Sequence, residues 1–259
     1  MDCSGFDRQG SPTVNAMRPV SELRDVADPA WPDLRRALEE AAVPVSVVPI
    51  ERPAGESVLY RLQVTARSVL GALAVHTGGV LVDDGWLRLL GGGGGDLPDL
   101  ASINRLGDPA AGRGAPGSLV VALDVFGGKF AINGGSLPGA PGEICYFAPE
   151  TLTWQSIGGG HSAFVTWALS GGLEEFYRGL RWPGWQREVS ELGPGQGLSV
   201  FPPLWSSQGR RDVAGASRKT ASLSELVTLH EDSARQLADL PSGSRVQVRL
   251  KPSSRPANG

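Results

Sequence analysis

From residue 69 onward the chain breaks into short β-prone runs held apart by pairs of turn residues, and that spacing restricts the sheets open to it. The runs are VLGALAVHT, GVLVDD, WLRLL, GSLVVALDVF, KFAING, GEICYFAP and TLTWQSIG, separated by Gly-Gly, Asp-Gly, Pro-Glu and similar pairs. Links this short favour antiparallel hairpins, because a parallel crossover needs about a dozen residues or more. DVFGGKFAI, with two glycines between β-prone arms, is the clearest hairpin, and EICYFAPETLTWQSI is another.

Helical patterns lie on either side. In DPAWPDLRRALEEAA, Asp28 is the expected cap and Pro29 the first helical residue, with Trp31, Leu34, Leu38 and Ala41 on one face and Pro32 tolerated in the first turn. VSVVPI reads as a short strand and GESVLYRLQV as a second helix. Beyond the sheet, HSAFVTWALSG is expected to be a helix capped by Ser162 and stopped by Gly171, followed by helices in GLEEFYRGL and RWPGWQREVSEL and an extended QGLSVFPPLW. SLSELVTLHEDSARQLADL is the last helix, with Ser222 and Glu225 as a capping box and apolar contacts from Leu223, Leu226, Leu229 and Leu237. The predicted class is α+β, a central antiparallel meander flanked by N- and C-terminal helices, without the strand–helix alternation of a doubly wound sheet.

A single domain is expected over residues 18–240, long enough to bury a core without metals or disulfides. Residues 1–17 are small and polar and are expected to be a disordered extension, with Met17 as the expected true start. The Pro/Ser-rich segment 241–259, with Arg245, Arg249, Lys251 and Arg255 and no acid, is expected to be disordered as well.

The charge balance argues against a nucleic-acid partner: the net charge is −3 and no basic stripe runs through the central region. MDCSGFDRQGSPTVN has no apolar core and so does not read as a signal peptide. Runs such as VLGALAV fall far short of the ~20 residues that span a bilayer, so no membrane is expected. Cys3 and Cys145 have no metal spacing, and free thiols in a reducing cytoplasm are expected. His76, His161 and His230 share no ligand motif, so no metal or cofactor is expected.

Two glycine-rich stretches invite a phosphate-binding reading and fail it. The run Gly91–Gly95 is followed by Asp96 rather than by the Lys and hydroxyl of a P-loop, and no βαβ unit surrounds it. In FGGKFAINGG, Lys129 is followed by Phe130. The five glycines are expected to form a flexible connection leaving WLRLL, with a short helix in LPDLASIN. His161 and Ser162 are adjacent but lie in no G-x-S-x-G elbow.

Asp83–Asp84–Gly85 reads as a turn. Asp124 lies within an apolar run, where a charge needs a partner, and a hydrogen bond to nearby backbone is the expected one. Asp124, Asn133, Glu143 and Tyr146 come from neighbouring predicted strands, and on an enzyme reading Asp124, Glu143 and Tyr146 are the acid–base candidates. Of seven tryptophans, Trp182, Trp185 and Trp205 sit in proline-bearing, loop-like sequence, where they either plug the core or line a binding surface.

The blocks VADPAWPDL, LQVTARSVLGALAVHTGGVLVDDGWLRLLGGG, DVFGGKFAINGG, GEICYFAPETLTW, FVTWALSGGLEEFYRGLRWPGW and FPPLW together resemble the bacterial DUF2625 family over residues 18–240. The resemblance implies no activity. DVFGGKFAING…GEICYFAPETLTWQSIGGGHSAFVTWAL is also similar in layout to the SUKH superfamily, which includes toxin-binding immunity proteins. The chain departs from it in the glycine run and in everything after Gly171. The expectation is therefore a cytoplasmic, non-enzymatic, SUKH-like module that binds a protein partner through Trp86, Trp182, Trp185 and Trp205, with Asp83 and Asp84 as an acidic rim. The alternative is an enzyme or small-ligand binder with its polar site on the hairpin strands.

Overall fold

The computed structural model describes residues 17–111 and 116–239, so the expectations for residues 1–16 and 240–259 lie outside it. The central sheet has seven strands in sequence order, each antiparallel to the next. They are β1 Val45–Val48, β2 Gly79–Val82, β3 Leu87–Leu90, β4 Ser118–Asp124, β5 Lys129–Asn133, β6 Ile144–Ala148 and β7 Thr153–Gly158. The α+β meander read from the turn spacing is thus the observed architecture.

The first of the β-prone runs is the exception. VLGALAVHT forms helix α4, Val69–His76, rather than a strand. It is apolar at nearly every position, so it carries neither the strand nor the helix period. Ser68 starts it by accepting a hydrogen bond from Gly71 N at 3.0 Å, and six consecutive residues, Leu70–Val75, are buried. Helices α2 Trp31–Glu39 and α3 Arg52–Leu62 pack beside it, and α1 Val20–Arg24 packs against α3. In α2 the helix begins two residues after the expected Pro29: Ala30 is the cap, and Pro32 occupies the first turn. Leu34 and Leu38 are buried as their spacing requires, and Trp31 stacks on His76 at 4.7 Å.

After the sheet come α6 His161–Leu169, α7 Leu173–Phe176 and α8 Trp185–Ser190. Gly160, not Ser162, caps α6. A second, two-stranded sheet pairs β8 Gln196–Phe201 with β9 Ser217–Ser222, the short helix α9 Ser207–Arg211 lies in the connection between them, and α10 Leu223–Leu237 follows directly. β9 was not anticipated: SRKTAS is polar and exposed on much of both faces, so it has no apolar alternation to read. The Ser222–Glu225 capping box of α10 is present. Leu229 does not make the apolar contact expected of it; it is 52% exposed.

The glycine run is a packed junction and not a flexible link. Gly92 N donates to Thr77 O (2.8 Å), Gly93 N to Gly78 O (2.9 Å), and Leu100 N donates back to Gly91 O (3.0 Å). A Cβ on Gly91 would lie 2.4 Å from Thr77 O, and one on Gly92 would lie 2.0 Å from Ile50 Cδ1 and 2.6 Å from Ala74 O. Only glycine lets these backbones approach so closely. The short helix expected beyond it is α5, Leu100–Ile103, capped by Asp99, which accepts from Ala101 N and Ser102 N.

Candidate functional site

The structure brings Asp124 and Tyr146 together and leaves Glu143 and Asn133 elsewhere. Asp124 ends β4, where the chain turns through Gly127 and Gly128 into β5. Its Oδ1 accepts from Phe126 N and Gly128 N, both at 2.8 Å; its Oδ2 accepts from Tyr146 Oη at 2.8 Å and Tyr177 Oη at 2.9 Å. The expected backbone partners are there, and Tyr177, which follows α7, completes a set that sequence reasoning missed. All three side chains are buried. Burial, followed by the neighbouring Asp124 charge, pushes both tyrosine hydroxyls well above their ordinary range. A carboxylate fully occupied by four donors and closed off from solvent ties the β4–β5 turn to β6 and α7; it offers no lone pair to a substrate. Glu143 accepts instead from Ser156 Oγ (2.7 Å) and Ala140 N (3.1 Å). Asn133 holds the loop after β5, accepting from Gly135 N and donating to Leu137 O.

The tryptophan surface expected for a partner is also corrected. Trp86, Trp182 and Trp185 are buried. Trp86 is the centre, its ring 5.0 Å from Trp185, 5.3 Å from Tyr177, 5.4 Å from Phe126 and 5.9 Å from Trp182. Rings this large cost most when left in water, and here they join the sheet to the C-terminal segment. Asp83 is no rim group: it is buried and ion-paired with Arg181, whose guanidinium lies 4.1 Å from the Trp185 ring centre and 4.9 Å from that of Trp86. Asp84, half-buried, has its carboxyl pushed up by burial and then by Asp83. Asp83, Asp84 and Gly85 all take positive φ, the turn their sequence predicts. Only Trp205 of the four remains partly exposed.

Trp205 lines the feature that best resembles a binding site, a cavity of about 410 Å³ between α10 and the β8–β9 hairpin. Its position follows from pleat and helix period. Gly197 faces α10, since a Cβ there would meet Leu223 Cδ2 and Leu226 Cδ1 at 2.8 Å. Residues two and four along share that face, so Ser199 and Phe201 point the same way, as do their cross-strand partners Lys219 and Ser217. On α10, Leu226, Leu229, His230 and Ser233 recur at helical spacing and form the opposite wall. The helix rests on the sheet at Gly197; further along, the sheet side carries serines and a lysine, and the space stays open.

Phe126, Leu204, Leu226 and His230 are buried and form the floor. Phe201, 48% exposed, and Leu229 stand at the mouth with Lys219. These two account for half of the large apolar side chains exposed in the described residues, the others being Met17 and Val47. His230 Nε2 lies 2.9 Å from Phe126 O. Burial pushes the imidazole below its ordinary range, and Nε2 carries a proton because the carbonyl it faces only accepts. His230 Nδ1 is buried and has no partner among the described residues.

Residues 20–226 match the model of the family described as "Protein of unknown function DUF2625". The chain belongs to the DUF2625 family. Among its relatives, YbfG of Escherichia coli, described as uncharacterized, is 39% identical over 213 residues, covering 81% of this chain and 94% of its own. An uncharacterized Haemophilus influenzae protein is 36% identical over 188 residues, covering 72% of this chain and 82% of its own. No solved structure matches the chain significantly. The family match ends at Leu226, so Leu229, His230 and Ser233 of the cavity wall lie beyond it. Among the described residues of this DUF2625 protein, no group of three or more His, Cys, Asp or Glu side chains is placed to hold a metal, and no helix is long and apolar enough to cross a membrane. Cys145 is a buried free thiol.

Proposed function

We propose that this protein is a binding module for a small apolar or amphipathic molecule, held in the cleft between α10 and the β8–β9 hairpin. The observation that carries the reading is the cleft's wall: a cavity of about 410 Å³ whose floor is apolar core and whose mouth leaves Phe201 and Leu229 about half exposed. That volume lies in the ~300–1,000 Å³ span of small-molecule sites, which are mostly apolar with a few placed polar groups. The protein-partner reading, including an immunity-type role, loses its anchors with the burial of Trp86, Trp182 and Trp185. The enzyme reading on Asp124, Glu143 and Tyr146 loses its geometry, since Glu143 bonds elsewhere and Asp124 is already saturated.

The test is binding of the environment-sensitive dye ANS and of medium-chain fatty acids by the native protein and by Leu229→Lys and Phe201→Ser. The reading expects saturable, competitive binding that both variants weaken at least tenfold without loss of fold. Binding unchanged in both variants refutes it.

A further inference from the structure

The hairpin wall of the cleft is polar where a sheet packed on a helix is ordinarily apolar. Leu198 is buried and Val200 packs on the core, so the apolar side chains of β8 beyond Gly197 lie mainly on the face turned away from α10. Arg218, opposite Val200, belongs to that face as well: its guanidinium lies 4.1 Å from the Trp182 ring centre and pairs with Glu188. The face turned toward α10 carries Ser199 and Lys219, directly opposite one another across the hairpin, and then Phe201 opposite Ser217. Neither the two serine hydroxyls nor the exposed Lys219 ammonium makes a side-chain hydrogen bond or ion pair among the described residues. Lys219 is the one Lys or Arg among the fourteen residues that line the cavity, and none of them is Asp or Glu. The acids of α10 nearest in sequence to the cavity wall are engaged elsewhere: Glu231 pairs with Lys129 and Asp232 with Arg235.

We propose that the ligand is a monoanionic amphiphile, an apolar chain with a carboxylate at one end, the chain lying on Phe126, Leu204 and Leu226 and the carboxylate at the mouth against Lys219 and Ser199. This rests on the reading of the cleft as a small-molecule site. Burial of the chain on the apolar floor supplies most of the affinity. The head decides direction and class. A carboxylate carried to the floor would lose its water and find no countercharge, whereas at the hairpin wall it meets an ammonium and a hydroxyl and stays hydrated. A single lysine balances a single negative charge, and a cationic head in the same place meets like charge. The pair stands in solvent, so its contribution is modest and salt screens it.

Dodecanoate, dodecanol and dodecyltrimethylammonium share the chain and differ in the charge of the head, so titrating each calorimetrically into the full chain isolates the head's contribution. At low salt dodecanoate should bind about two- to fivefold more tightly than dodecanol, the size of one exposed ion pair, with the cation weakest, and added salt should narrow the spread. Lys219→Gln should bring dodecanoate level with dodecanol without changing dodecanol, and Lys219→Glu should put the cation above the acid. Lys219 is exposed, so both variants should keep the native melting temperature. Dodecanoate binding no tighter than dodecanol to the native protein, or a preference for the acid that survives Lys219→Glu, overturns the inference while the cleft reading stands. If no probe binds and none displaces ANS, the cleft reading fails and this inference falls with it; self-association abolished by Phe201→Ser would then put a second copy of the chain in the cleft.

Discussion

Replacing Asp124 tests whether the polar cluster under the sheet is a structural tie. Asp124→Ala removes the acceptor for four donors, two of them backbone N–H groups that cannot turn elsewhere. Each buried N–H left unsatisfied costs about 1–3 kcal/mol. The two tyrosine hydroxyls can rotate toward one another, so the expected loss is dominated by Phe126 N and Gly128 N, about 3–5 kcal/mol. Asp124→Asn keeps an oxygen for the two N–H groups and offers its amide to the tyrosine oxygens. It gives up only the charge, part of which offsets the buried Arg88 guanidinium, itself pushed down to about 10 chiefly by burial. A loss of about 1–2 kcal/mol follows from charged bonds becoming neutral. For a domain of this size, ~1 kcal/mol moves Tm by roughly 2–4 °C. Urea unfolding and calorimetry of native, Asn and Ala proteins should therefore give three well-separated midpoints in that order. An Ala variant within ~1 kcal/mol of native would refute the account of the cluster. So would a loss of cleft binding in a folded Asn variant.

Four further outcomes follow from the geometry. Gly92→Ala should destabilise by about 1–3 kcal/mol, because its Cβ meets Ile50 Cδ1 and Ala74 O; Gly95→Ala meets no atom and should lose only the ~1–2 kcal/mol of its left-handed backbone, as urea midpoints will report. Burial holds His161 down to about 4, with its Nε2 shut off from any partner among the described residues. The unfolded chain therefore binds the extra proton first, and stability is full above about 6.5 and falls as pH drops toward 4, by up to about 3 kcal/mol; His161→Phe should flatten that part of the pH–stability curve. Tyr177→Phe should cost about 1 kcal/mol and less than Asp124→Ala, measured by the same denaturation. Leu229→Lys should leave Tm within a few degrees of native, since half of the side chain is already in water.

The sheet was legible because turn pairs recur between short β-prone runs, and backbone sterics leave such links one topology. Asp124 was legible because a charge inside LVVALDVF must find partners, although Tyr177, separated from it by three strands and two helices, carries no local signal. α4 was misread because a helix buried on nearly all sides has no polar stripe. The glycine run was misread for a related reason. Its need for absent side chains arises from Thr77, Gly78 and Ile50 packing against it, which no window of sequence shows. The tryptophans illustrate the limit of composition: the same residues suit an interface or a core, and only the Trp86-centred packing decides between them. The cleft could not be read at all, since its wall draws ordinary residues from Phe126, from 198–219 and from α10.

The most direct test of the account is to map dodecanoate on isotope-labelled protein by amide chemical shifts. The account predicts saturable shifts confined to the cleft, at Phe126, Ser199, Trp205, Lys219, Leu229 and Ser233. Shifts centred on the Trp86 cluster or the β6–β7 hairpin instead, or none at saturating ligand, would contradict it.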